Sequence, residues 1–158
     1  MIAPGAPREH WVELLELADE PEPLRRYLQQ GELFGVVDPE AGAPQAAVLV
    51  IDLGGGRSEL RAVAVAESAQ GRGLGTWIVA EVCDRLRADE VRAVIVGTAS
   101  SGVRQLAFYQ RLGFRLTHVE RDYFSAEKGY PASLSEIGIP TRDMVWMERA
   151  FELRPSGR

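Results

Sequence analysis

Cysteine is almost missing from this chain: Cys83 is the only one in 158 residues, so no intrachain disulfide can form and a reducing compartment is compatible. Histidine is nearly as scarce. His10 and His118 share no spacing with Cys83 or with carboxylates that suggests a metal site, and a Cys-His acyl-enzyme finds no support in residues so far apart. No apolar run approaches the roughly 18 residues a spanning helix needs, and Met1 to Arg8 carries no apolar core of a signal peptide. The expected setting is cytoplasmic, with no membrane partner. Basic clusters are missing too: 18 Lys and Arg stand against 23 Asp and Glu, a net charge of −5, so no nucleic-acid partner is expected. A mildly acidic protein favours the approach of a cationic amine instead.

What is present suits an ordinary globular protein, 46% hydrophobic and 26% charged, read as one domain over residues 1–158. A chain of about 150 residues buries roughly 68 to 70% of its unfolded surface, enough for a single core. Ala3 to Pro7 and Pro155 to Arg158 are low in complexity and expected to fray. Helical spacing over Glu9 to Ala18 and Leu24 to Gln30 predicts two short helices, broken by Asp19-Glu20-Pro21-Glu22-Pro23 and ended at Gly31. Strands are predicted over Leu33 to Val37, Ala46 to Ile51 and Glu59 to Ala66, the last placing Glu59, Arg61, Val63 and Val65 on one face. Leu74, Ile78, Val82 and Leu86, widened by Trp77 and Val79, predict a core-facing helix. Val91 to Val96 completes a βαβ unit with parallel strands. Thr98 to Ser101 supplies hydroxyls to cap a second helix, Gly102 to Leu112, which Gly113 ends. Two last strands, Phe114 to Glu120 and Arg142 to Phe151, flank Ser125 to Thr141, either a substrate-facing lid or a disordered loop.

The stretch on which function turns is Gln70-Gly71-Arg72-Gly73-Leu74-Gly75-Thr76, between a strand and a helix. Three glycines in five residues let backbone N–H groups converge on one point, and the following helix presents unpaired N–H groups and its positive dipole end there. The junction suits a phosphate or pyrophosphate. No lysine follows the first glycine, so a nucleotide-hydrolase P-loop is excluded. A dinucleotide fingerprint fits poorly, with Thr76 at its third glycine and Val96-Gly97-Thr98 where an acidic residue belongs.

Gln-x-x-Gly-x-Gly remains, and it resembles the loop of the GNAT superfamily of N-acetyltransferases. The run Leu106 to Phe114, with Tyr109 followed by Leu112-Gly113-Phe114, resembles the same superfamily, in the expected order with a strand between. The likeness covers 59–114, the expected cofactor core. It implies an α/β fold with a mixed, mostly antiparallel sheet splayed at its parallel pair. It implies acetyl transfer from acetyl-CoA to a primary amine by direct attack in a ternary complex, with no metal. By the same resemblance Gln70 to Thr76 hold the pyrophosphate, backbone groups of Val63, Ala64 and Val65 pair with the pantetheine arm, and Tyr109 faces the sulfur. Glu59, on the strand leading into the loop, is the candidate base.

Such a reaction needs a neutral amine, a stabilised oxyanion and a protonated leaving thiolate. A phenol of pKa ~10 protonating a thiolate of ~8.5 runs uphill by about 2 kcal/mol, so Tyr109 stabilises the thiolate by a hydrogen bond before a proton moves. The chain departs from the superfamily at Gly102, where an Asn often contacts the cofactor and Ser100 or Ser101 is a possible substitute. Gly97 stands where members acting on protein N-termini often carry a Glu. Arg142 and Asp143 are either substrate contacts or an ion pair at a strand start. The acceptor expected is a small-molecule amine, recognised through Trp11 to Gln30 and Ser125 to Thr141. A non-catalytic acyl-CoA sensor on the same fold is the alternative, a nucleotide-binding regulatory domain a weaker one, and exposed sheet edges allow a homodimer.

Overall fold

A computed structural model describes residues 7–152. The two low-complexity ends fall outside them, Pro7 excepted. A 3-10 turn, Arg8–Trp11, leads into α1 (Val12–Leu15), and α2 (Pro21–Tyr27) follows. The prolines open α2 instead of only breaking α1, since a proline at the first helical position loses an N–H that has no partner there anyway. Gly31, at φ 64°, turns the chain away, and a Cβ there would lie 2.0 Å from the Val50 carbonyl oxygen. The strands β1 (Glu32–Val37), β2 (Pro44–Gly54) and β3 (Arg57–Val65) form a meander. Then come α3 (Leu74–Ala88), β4 (Ala93–Ala99), α4 (Val103–Arg111) and β5 (Arg115–Glu120). A small hairpin of β6 (Ser135–Glu136) and β7 (Ile139–Pro140) precedes β8 (Met144–Ala150).

The main sheet has six strands in the order β1-β2-β3-β4-β8-β5. Only β3 and β4 pair in parallel; the other neighbours are antiparallel. This is the expected α/β class with a mixed, mostly antiparallel sheet. One face packs Ile78, Val79, Val82 and Cys83 of α3 and Tyr109 of α4 against Val48, Val50, Leu60 and Val94. The other packs Trp11, Leu15, Leu24 and Tyr27 against Ala47, Leu49, Ala62 and Ala64. Each face of β2 is thus covered by helix, which is why its apolar run does not alternate with polar residues. Trp77 does not join the α3 stripe and is 41% exposed.

The simple alternation expected along β3 fails at Arg61. Leu49 pairs with Ala62 but Val50 pairs with Leu60, so Arg61 is an extra residue, a β-bulge. Leu60 and Val63 therefore share the α3 face, while Ala62 and Ala64 face α1 and α2. Glu59, opposite Ile51, ends on the α1 and α2 side, not with Val63 and Val65. A period of two carries no signal for one inserted residue.

Two further expectations are corrected. The helix α4 takes Gly102 as its N-cap with no side-chain cap, so the hydroxyls of Thr98 to Ser101 do not serve it. The segment Ser125 to Thr141 is not structureless: it holds a 3-10 turn, Ala126–Lys128, and the β6–β7 hairpin. Gly113, at φ 88°, does end α4, with the Phe114 N–H returning to the Tyr109 carbonyl.

Gly35 on β1 lies under the Trp11 ring, and a Cβ there would stand 2.2 Å from a ring carbon. Gly35→Ala should overpack this contact and cost about 1–3 kcal/mol, read as a lower denaturation midpoint in urea.

Candidate active site

The parallel pairing of β3 and β4 lasts from Arg57 opposite Ala93 to Glu59 opposite Ile95, and the strands then part. Beyond Glu59 no strand among the described residues takes the β4-facing edge of β3. A cavity of about 290 Å³ fills the gap, lined by Glu59 to Val63 on one side and Val96 to Ala99 on the other, with Tyr109 of α4. Of the expected site residues Glu59, Tyr109 and Val63 meet here. Ala64, Val65 and the glycine loop do not line this cavity; they lie farther along the same strand and beyond its end.

Glu59 is not a surface carboxylate, being 7% exposed. Burial pushes its carboxyl above the usual range, and the Arg61 guanidinium opposes that shift. One guanidinium nitrogen of Arg61 donates to both Glu59 oxygens, at 3.4 and 3.5 Å. Those are long contacts, and the carboxylate retains acceptor capacity. Tyr109 is buried edge-on to Phe108 and Phe114. Burial pushes its phenol up, so protonating a thiolate from Tyr109 is harder here than in water and its hydrogen-bonding role gains weight. Cys83 is fully buried, and burial raises its thiol to about 11, which leaves no thiolate for nucleophilic chemistry.

In the glycine loop Gly71 and Gly73 have φ of 74° and 79°, and a Cβ on either would meet nothing within 4 Å. The backbone conformation, not crowding, requires glycine there, and the space beside it admits a ligand. Gly73 is the N-cap of α3 and no side chain caps the helix, leaving the first-turn N–H groups of Leu74, Gly75 and Thr76 free for an anion. Gly75 packs tightly, its would-be Cβ 3.3 Å from Val65. Arg72 and Thr76 are exposed. The Gln70 amide is engaged structurally, donating to the Val65 carbonyl at 3.0 Å and tying the loop to the end of β3.

The cavity wall also takes in Tyr130, Leu134 and Glu136 around β6 and the turn after α1, Glu16 to Glu20. The Asp19 carboxylate accepts the Tyr27 hydroxyl at 2.7 Å and the Tyr130 hydroxyl at 2.8 Å. Burial first, and the Asp19 charge second, push both phenols up, which keeps them as donors. Tyr130 also packs edge-on to Phe124 at 4.9 Å, and Tyr123 stacks edge-on to Trp146 at 6.2 Å. None of Asp19, Tyr27 and Tyr130 was singled out in the sequence, where Asp19 reads as a helix break and the tyrosines as scattered aromatics.

Other expected contacts are otherwise engaged. Ser101 is buried and shares a hydrogen bond with Thr141 at 2.9 Å, so it does not stand in for the missing Asn. Asp143 accepts the Asp122 N–H and makes no ion pair with Arg142 among the described residues. Gly97 lies against Met144 and Trp146, each 2.8 Å from a would-be Cβ, so a glutamate has no room there. Among the described residues no group of His, Cys, Asp and Glu is placed to hold a metal ion, and no helix is long and apolar enough to cross a membrane.

A free strand edge leading from an uncapped helix start into a cavity lined by a buried carboxylate and a phenol suits an acyl-coenzyme A-dependent transferase. Comparison with known proteins makes the class specific: residues 6–114 match the model of the acetyltransferase (GNAT) family, to which the chain belongs. It is similar to the Bacillus subtilis (strain 168) protein called uncharacterized N-acetyltransferase YvbK, 32% identical over 135 residues and 84% of either chain. Among solved structures it is similar to an IAA acetyltransferase from Bacillus cereus ATCC 14579, 29% identical with a TM-score of 0.84, covering 96% of this chain and 99% of the other. A GNAT family acetyltransferase from Elizabethkingia anophelis with acetyl-CoA bound is 28% identical, TM-score 0.84, over 96% and 97%. A Bacillus subtilis acetyltransferase in complex with CoA is 25% identical, TM-score 0.83, over 96% and 97%. The protein is an acetyl-CoA-dependent N-acetyltransferase.

Asp19→Asn should weaken both tyrosine contacts, lowering stability by about 1–3 kcal/mol. Hydrogen exchange should show faster opening of 125–141 than of the β2–β3 pair.

Proposed function

We propose that the acceptor is the primary amine of a small molecule, attacked in a ternary complex, with Glu59 as base and Tyr109 as the hydrogen-bond donor to sulfur. The observation that carries this is that a buried carboxylate, Glu59, and a buried phenol, Tyr109, line one cavity. A non-catalytic sensor of acyl-CoA would need neither. The lining holds the carboxylates of Glu16, Asp19, Glu20, Glu59 and Glu136 against the single cation Arg61, a field that concentrates ammonium ions. Its volume of about 290 Å³ favours a small acceptor over a folded protein.

The acceptor arrives as an ammonium ion and gives its first proton to Glu59. The neutral nitrogen bonds to the thioester carbonyl carbon and the carbon–sulfur bond breaks, its electron pair leaving with sulfur. The acylated nitrogen sheds its second proton to the departing thiolate, which Tyr109 holds by a hydrogen bond, so the products are an amide, a free thiol and one proton that Glu59 returns to water. Val63, Ala64 and Val65 are assigned to the pantetheine arm, supported by the unpaired edge of β3. Gly71 to Thr76 are assigned to the pyrophosphate, supported by the uncapped α3. Gln70 acts with them by holding the loop. We place this activity in a single domain of the cytoplasm, in keeping with the lone buried Cys83.

An amine panel with acetyl-CoA and a thiol-release readout tests the assignment. Tyr109→Phe should lower turnover by about tenfold or more while calorimetry shows coenzyme A affinity nearly kept; unchanged turnover would remove its role. The working base is ionised Glu59, and its pKa lies above that of a free glutamate at ~4.3. Activity should therefore fall with decreasing pH sooner than an exposed carboxylate dictates, and Glu59→Gln should abolish this acid limb.

A further inference from the structure

A second cavity, of about 390 Å³, opens on the other side of the Glu59–Arg61 pair, and the two share Glu59, Arg61, Tyr123 and Tyr130. Their charges are opposite. The first has five carboxylates and one cation; the second has Arg26, Arg61 and Lys128 and only the shared Glu59. Resting on the amine reading above, we propose that the acceptor is an amino acid, its amine in the first cavity and its carboxylate held in the second.

Three features suit the second cavity to a carboxylate. Arg61 meets Glu59 through one nitrogen only, so the remaining N–H donors of its planar fork stay available for a bidentate partner. Its guanidinium lies on the Tyr27 ring, 4.7 Å from the centroid, and is one-third exposed; packing holds it in place while leaving it reachable. Lys128 lies over the Tyr123 ring at 3.6 Å and has no ion-pair partner among the described residues. It is also the only lysine in the chain. A cation held over an aromatic ring in the cavity lining, with no ion-pair partner among the described residues, suits an anionic group of a ligand. Arg26 is less free, bonded to Glu22 at 2.6 Å and to the Glu127 carbonyl.

An acceptor bridging the cavities places opposite charges where the protein supplies their complements, whereas a simple alkylamine leaves the cationic side unused. A polyamine would put a second ammonium among Arg26, Arg61 and Lys128, which like-charge repulsion disfavours. The same arrangement sets the amine beside Glu59 and Tyr109.

The test compares glycine, β-alanine, 4-aminobutanoate and 5-aminopentanoate with their carboxamides and with the matching alkylamines, at saturating acetyl-CoA. The expected result is a kcat/KM about tenfold higher for the best amino acid than for its carboxamide, carried mostly by KM. Lys128→Met should shrink that ratio, and Lys128→Arg should restore it. Arg26→Gln serves as a second variant should Lys128→Met disturb the fold, and it should shrink the ratio less. Equal use of the amino acids and their carboxamides by the unaltered protein overturns the proposal and leaves the amine reading standing. A ratio indifferent to both Lys128 and Arg26 also overturns it. Thiol release with none of the amines overturns both readings together.

Discussion

Parallel pairing that stops after three residues is the constraint on which the site depends. Backbone groups of β3 past Glu59 cannot be left without partners in a dry interior, so the gap must be open to water or filled by a ligand that supplies those bonds. The separation opens the cavity between Glu59 and Thr98, presents a strand edge to an extended ligand, and lets Tyr109 approach from α4. Helix α3 starts just beyond that edge, so its uncapped first turn lies where the far end of such a ligand arrives. The proposed catalytic cavity, arm site and anion site thus follow one another along β3 and past its end into α3.

The bulge at Arg61 is the second local feature with wide effect. One inserted residue sends Glu59 and Arg61 toward α1 and α2 while Leu60 and Val63 stay with α3. The carboxylate thereby gains a buried place beside a cation, and the pair becomes the divide between an acidic and a basic cavity. Asp19 gathers Tyr27 and Tyr130 around that divide from segments far apart in the chain. A half-buried carboxylate bonded by two phenols ties the segment at Tyr130 to α2 without adding another cation to the acidic side.

Much of this was legible from local rules. Apolar runs and glycine positions located the six main strands and helices α3 and α4, with ends displaced by a few residues, as for β4, which runs on to Ala99. The glycine loop and the Tyr109 segment were readable because each demands particular residue types in contiguous order: positive φ at Gly71 and Gly73, and a glycine at φ 88° closing α4. Gly97 was legible as a departure, but its cause was not, since the Trp146 ring that excludes a side chain comes from a strand far along the chain. Ser101 looked available for a ligand because nothing nearby in sequence reveals Thr141 as its partner.

By itself the sequence determined the order of elements and the anion-suited loop, because propensity, periodicity and backbone sterics act over a few residues; Glu59 and Tyr109 stood out as candidate base and phenol only through the family resemblance of their motifs. Tertiary structure alone decided where β3 and β4 part, that Arg61 is bulged, and that Asp19, Tyr27, Tyr123, Lys128 and Tyr130 line two cavities that share Glu59. These depend on register and on contacts between distant segments, and neither has a local signature. The environment that raises the Glu59 carboxyl, and the opposition of charge on its two sides, exist only once those segments meet.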